Sequence, residues 1–359
     1  MVRVLAFFDT QFHGGDAGWR RLREARPVSR QHFALNYPSS LGAYDLADPR
    51  QTAPVVAMAR LAGIDGFVID IHRTAAGYRH DAALLAPFCQ DGFGLAFRLR
   101  GGDPVEAAAL ADSLKNVPAC LLGGRIPLIV KHPGGWSAAV VSAVREAAVR
   151  AGLPGLYLIA NRAEDHEGLM AAGFDSLTDP APDEWQSCPP TNRASGLDQL
   201  EVLAGLKDSV TYLDRFFPYL LFTVSRMIRR ETRGKSLPRV FAAFHNWLDF
   251  PDGGATHLVS NDQAVDPHLF GLFVENAMLF AHNHFPADER VVFLQSWNGW
   301  FDGSQIEPSL LDGDIVYNAA RAAIDRARYM IRTRGESPEG IGAALQERIA
   351  LLCEAARNL

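Results

Sequence analysis

The chain of 359 residues has only four cysteines: Cys89, Cys120, Cys188 and Cys353. They are scattered and form no C-x-x-C pair. This speaks against a disulfide framework or a thiolate zinc site and suits free thiols in a reducing compartment. No stretch approaches the roughly 20 consecutive apolar residues that cross a bilayer, so no membrane span is expected. The N-terminus "MVRVLAFFD" enters a strand-like run at once, without a small-residue cleavage site, so no secretory leader is expected. A cytoplasmic location follows as the expectation. Basic charge is also short, with 35 Lys and Arg against 41 Asp and Glu, a net charge of −6. The densest basic run, "RMIRRETRGK" at 226–235, reads as a solvated helix end. That balance disfavours a nucleic-acid partner. The chain lacks H-E-x-x-H, a Walker loop, G-x-S-x-G and a glycine-rich turn after its first strand. His282 and His284 close a helical run, where histidines suit the helix dipole. Neither a metal nor a cofactor is expected.

What the sequence does hold is alternation. Hydrophobic residues make up 48% and charged residues 21%, values of an ordinary globular protein. Eight short apolar runs recur, at 2–8, 66–71, 94–99, 126–131, 155–160, 174–178, 239–245 and 290–296. The sixth is the weakest. Between them lie helical patterns, including "DPVEAAALADSL", which opens on an Asp cap followed by Pro, and "SAAVVSAVREAAVRAG", which ends on Gly. Continuous apolar strands alternating with helices predict a parallel sheet covered on both sides. Eight such units predict an α/β fold, a single (β/α)8 TIM-type barrel over residues 1–335. The Pro-, Asp- and Ser-rich stretch 179–209 reads as a loop insertion, and 336–359 as an extra C-terminal helical extension.

A barrel places its working groups at the C-terminal strand ends. Those ends carry Asp9, Gln11 and His13; Asp70, His72 and Arg73; Arg98 and Arg100; Lys131, His132 and Trp136; Asn161 and Arg162; and His245, Asn246, Trp247 and Asp249. The eighth run breaks at Ser296 into "WNGWFDGSQIEP", with Trp297, Asn298, Trp300, Asp302, Gln305 and Glu307. Four of the six tryptophans thus fall at strand ends. Aromatic planes beside carboxyls and amides suit a sugar, which has apolar ring faces and many hydroxyls. Glycosidic chemistry uses two carboxyls; Asp302 and Glu307 are the local pair, with Asp9, Asp70 and Asp249 in reserve. The plainer readings are packed aromatics, a turn-forming Asp before Gly303, and an exposed Glu before Pro308.

Four stretches carry a resemblance. "AFFDTQFH" (6–13) is similar to an opening strand of the form Y-x-P-Q-F-H. "LGAYDLADPRQTAPVVAMARLAGIDGFVID" (41–70) follows a Y-D-L-x-D-P turn, a helix and A-G-I-x-G-F. "RVFAAFHNWLDF" (239–250) is similar to a strand ending in W-D-N, and the final loop to W-N-E-W-x-E-G-x-x-I-E-P. Together they resemble the WbsX-like proteins of bacterial polysaccharide gene clusters, related to glycoside hydrolase family 99, whose members are endo-acting α-mannosidases and mannanases on a (β/α)8 barrel. The resemblance implies an oligosaccharide or polysaccharide substrate and action on a glycosidic bond, by hydrolysis or transfer. In that family the motif's first glutamate is a base at the sugar 2-hydroxyl, forming a 1,2-anhydro intermediate, and the second is the acid and base at the leaving group. Here the first position is Gly299 and the second Asp302. Gln305, Ile306, Glu307 and Pro308 keep their places. Asp302 is therefore the implied general acid, with Asp70, Asp249, Glu307 or a water as its partner. "FRLRGGD" replaces the group's A-N-E-N-W, so Arg98 and Arg100, with Lys131 nearby, favour an anionic sugar or a phosphate. A non-catalytic carbohydrate-binding or scaffolding protein of polysaccharide assembly is the alternative.

Overall fold

The computed structural model describes residues 1–12, 17–24, 38–101, 105–161, 166–178, 239–244, 267–301 and 303–334, with isolated positions from 340 to 351. Its strands are β1 (Arg3–Phe8), β2 (Gly66–Thr74), β3 (Gly77–Arg79), β4 (Gly94–Arg100), β5 (Ile126–Val130), β6 (Leu156–Asn161), β7 (Ser176–Thr178), β8 (Arg239–Val240), β9 (Ala242–Phe244) and β10 (Val291–Gln295). They form one sheet in the order β8-β7-β6-β5-β4-β2-β1-β10-β9, all parallel except for β3, which folds back on β2. The two ends of that path, β8 and β9, are halves of one segment separated only by Phe241. One half pairs with β7 and the other with β10. The sheet therefore comes round on itself as a nearly closed eight-position barrel, and all eight apolar runs of the sequence hold a strand position.

The strands read as continuous apolar runs because both of their faces are covered. Val4, Leu5 and Ala6 of β1 and Leu156 to Ala160 of β6 are all buried. The helix Pro49–Leu61 starts where Asp48 accepts from the Arg50 N–H and Pro49 takes the first turn. The helix Ala138–Arg150 starts where Ser137 accepts from the Val140 N–H. The third unit, after β4, carries a shorter helix than the sequence suggests, Ala107–Ser113; Asp103 and Pro104 lie outside the described residues. So do 179–209 and most of 336–359.

Inside and outside can be assigned from register. Directly paired residues of parallel strands point to the same face, and residues two apart in one strand share it. Asp70 pairs with Arg98, Arg98 with Ile129, and Ile129 with Ile159, two residues before Asn161. Leu5 pairs with Phe293, two residues before Gln295. The Phe7 ring meets both the Phe293 ring (5.6 Å) and the Arg98 guanidinium (4.6 Å), which joins the two sets. Phe8, one residue on, stacks instead on Phe67, which meets Phe93 beneath Arg60 of the helix Pro49–Leu61. Phe8 thus faces the helices. Asp70, Arg98, Asn161 and Gln295 face the barrel interior near its C-terminal end.

Candidate active site at the C-terminal mouth

The loop after β10 closes on itself and onto β1. Trp297 N–H donates to Phe7 O (2.8 Å), and Glu307 N–H to Trp297 O (2.9 Å). Ser296 N–H donates to Ser304 O, and Ile306 N–H to Ser296 O, each at 2.9 Å. Asn298 bonds β1 in both directions. Its Oδ1 accepts from Asp9 N–H (2.7 Å) and its Nδ2 donates to Asp9 O (2.9 Å). This amide fixes the loop to the strand end where Asp9 begins.

Glu307 lies beneath that loop and is 1% exposed. The Tyr44 hydroxyl (2.9 Å) and the Trp300 indole N–H (3.3 Å) both reach its Oε2. Asn298 Nδ2 donates to the Tyr44 oxygen at 3.3 Å. Glu307 Oε1 has no hydrogen-bond partner among the described residues. Burial without a cation pushes the carboxyl up to about 8, against the two donated bonds, which pull the other way. Burial, and then the neighbouring Glu307 carboxylate, raise the Tyr44 hydroxyl well above its ordinary range.

The described tryptophans of the strand ends pack among other aromatic rings. Trp297, Trp300 and Trp136 are all buried. Trp300 and Tyr44 both pack on Trp19, at 6.2 and 5.2 Å between centroids; Trp297 packs on Phe67 at 6.3 Å and Trp136 on Phe174 at 5.9 Å. In this structure these rings hold the loops and present no face to the cleft. Trp247 lies outside the described residues, as do His13, Arg162, His245, Asn246, Asp249 and Asp302.

Charge at the mouth is arranged around Asp70. Arg98 grips it with Nε (2.6 Å) and Nη2 (3.1 Å), and Arg100 adds Nη1 at 3.0 Å. Burial would raise this carboxyl, but the Arg98 and Arg100 charges outweigh it and hold it below its usual value. The expected positive patch is thus partly cancelled: Asp70 pairs with both guanidiniums. Asp9, on the neighbouring strand, behaves oppositely. Burial is the main cause raising its carboxyl, with the Asp70 charge adding to it; bonds from the Gln11 backbone and side chain and the Arg100 charge oppose. His72 is exposed, Lys131 half-buried and Gln305 buried.

Two inward amides complete the floor. Asn161 and Gln295 are 1% and 8% exposed, and neither Asn161 Oδ1 nor Gln295 Oε1 has a hydrogen-bond partner among the described residues. Neither Gln295 nor Tyr44 stands out in the sequence as a site residue. The Y-D-L turn containing Tyr44 was the available signal, but its contact with Glu307 spans 263 positions. Among the described residues, no group of three or more His, Cys, Asp or Glu side chains could hold a metal, and no helix is long and apolar enough to cross a membrane.

A parallel barrel with inward polar groups at its C-terminal strand ends defines the class, a TIM-barrel protein. The particular family follows from comparison. The sequence pattern of the family described as "Glycosyltransferase WbsX" matches residues 128–319, and the chain belongs to that family. No curated protein matches the chain. Among solved structures, the chain is similar to a family 99 endo-α-mannosidase from Bacteroides thetaiotaomicron: 14% identity, 93% of this chain and 99% of that one, TM-score 0.59. It is also similar to a glycoside hydrolase-like protein: 16% identity, 90% of this chain and 94% of that one, TM-score 0.55. Both likenesses are of fold.

Proposed function

We propose that the chain is a carbohydrate-active enzyme that acts on a glycosidic bond of a bacterial oligosaccharide or polysaccharide, with Asp302 as general acid. The observation that carries this reading is the floor of the mouth. Asn161 and Gln295 offer buried acceptor oxygens with no donor among the described residues. A buried acceptor left unpaired is costly, and a ligand rich in O–H groups satisfies it. The clamped Asp70–Arg98–Arg100 cluster lies on the same inner face and offers a fixed, hydrogen-bonding wall. In the sequence, Asp302 lies between Phe301 and Gly303, at the position that the family resemblance gives to the leaving-group acid. Asp70, held ionised, suits a partner that carries negative charge throughout the reaction.

The preferred sugar is anionic. Asp70 offers one negative charge to two guanidiniums, which leaves that cluster net positive, and Arg100 is the more exposed of the two, at 45% of its side chain against 16% for Arg98. Gly299 has no side chain, so the 1,2-anhydro route through a base at that position is not used. The same glycine favours one second reading, a binding protein without turnover. A screen of neutral and uronate-containing oligosaccharides for hydrolysis and transfer separates the two. The enzyme reading expects turnover of a member of the panel that Asp302→Asn abolishes. Binding without turnover supports the second reading, and turnover untouched by Asp302→Asn contradicts the first.

A further inference from the structure

We propose that Glu307 is a positioning residue: its buried carboxyl, in its protonated form, pins Tyr44 and Trp300 and so fixes the loop that carries Asp302. The proposal rests on the reading of Asp302 given above, but its main test does not require turnover.

Burial argues against a direct role at the reacting bond. Glu307 is 1% exposed, against the Trp300 indole of its own loop, and its hydrogen-bond partners are Tyr44 and Trp300. Both contacts converge on Oε2, while Oε1 faces no hydrogen-bonding group among the described residues. The elements packed around it contribute Tyr44 from the loop before the helix Pro49–Leu61, Trp300 from its own loop and, through Tyr44, Asn298. Tyr44 is the only titratable group against it among the described residues, and no cation pairs with it there. A buried carboxylate in such surroundings would be an unpaired charge; the protonated acid is compatible with them. The consequence reaches the mouth through a short chain of contacts. Glu307 holds Tyr44, Tyr44 accepts from Asn298, and Asn298 holds both backbone groups of Asp9. Loss of the proton places a charge in the middle of this chain, and water or a cation must enter to solvate it. The loop then opens around Trp300.

The test is a tryptophan-emission titration of the full chain from about pH 6 to about pH 10, bracketing the Glu307 value near 8. Unaltered protein is expected to show one transition with a midpoint near 8. Glu307→Gln keeps the acceptor oxygen and the shape but cannot titrate, and it is expected to remove the transition. Trp300→Phe is expected to remove most of its amplitude, because the reporter indole is gone. Tyr44→Phe deletes a bond that stabilises the charged form and is expected to move the midpoint upward. A flat titration of the unaltered protein, or a transition near 8 that survives in Glu307→Gln, overturns the proposal. With a turned-over substrate, Glu307→Gln is expected to keep most activity near pH 6 and to extend the alkaline limb; loss there as complete as in Asp302→Asn would make Glu307 a catalytic residue instead. If Asp302→Asn is silent while the emission transition behaves as stated, the assignment of Asp302 fails and that of Glu307 stands.

Discussion

Gln295 is the residue whose substitution separates stability from function most cleanly. Its Oε1 is buried and has no hydrogen-bond partner among the described residues. Replacing it with Leu removes an unsatisfied acceptor and keeps the volume close, so stability is expected to hold or to rise by about 1 kcal/mol, while oligosaccharide affinity falls. Paired urea melts and binding titrations check this; a variant that is destabilised and binds normally contradicts it. Glu307 makes a second prediction. Its folded value of about 8 lies above the ordinary 4.5, so between these values the folded state keeps a proton that the unfolded chain has lost. Stability must therefore decline as pH rises through that window and level off above it. Glu307→Gln is expected to flatten the decline in urea midpoint between about pH 5 and about pH 8. Asp70 acts in the opposite sense: its carboxyl is held low, so its contribution is present above the ordinary carboxylate value and is lost as pH falls toward the lowered one. These roles were only half legible in the sequence. Glu307 before Pro308 reads as exposed, because nothing local signals that Tyr44 will cover it. The pairing of Arg98 with Asp70 depends on the β2–β4 register, which no local pattern gives.

At the scale of elements, the strands were the most legible part, since a run buried on both faces has no polar interruptions. The hairpin strand Gly77–Arg79 was not, because the three residues Gly77, Tyr78 and Arg79 are too few and too mixed to carry a period. The break at Phe241 was also hidden: "RVFAAFH" reads as one strand, yet its halves pair with different neighbours. Close backbone approach shows where side chains are forbidden. A Cβ on Gly66 would lie 2.0 Å from Gly94 O, and one on Gly94 2.7 Å from Cys120 N. Both obstacles are backbone, so neither can rotate away. Gly66→Ala is expected to destabilise the protein by about 3 kcal/mol or more by prising β2 from β4. Chemical denaturation measures it, and a loss under about 1 kcal/mol would contradict the packing described.

For the whole molecule, the two ends of the barrel divide the labour. Arg125, Asp175 and Glu289 each lie just before a strand, at the N-terminal end. Asp175 accepts from Arg125 (2.7 Å), Arg145 (2.8 Å) and the Leu158 N–H (2.7 Å), and Tyr157 donates to Glu289 (3.1 Å). Here the charges join strands, and barrel chemistry belongs to the other end. Asp175→Asn is expected to cost about 1–2 kcal/mol of stability, reduced by the part-exposure of both arginines, and to leave ligand binding unchanged. The central claim is that a carbohydrate occupies the C-terminal mouth. It is tested most directly by backbone hydrogen–deuterium exchange with and without the tightest-binding oligosaccharide of the panel. The account predicts slowed exchange in the segments after β1, β2, β4 and β10, around Asp9, His72, Arg100 and Trp297. Protection confined to the opposite end, around Arg125, Asp175 and Glu289, would contradict it.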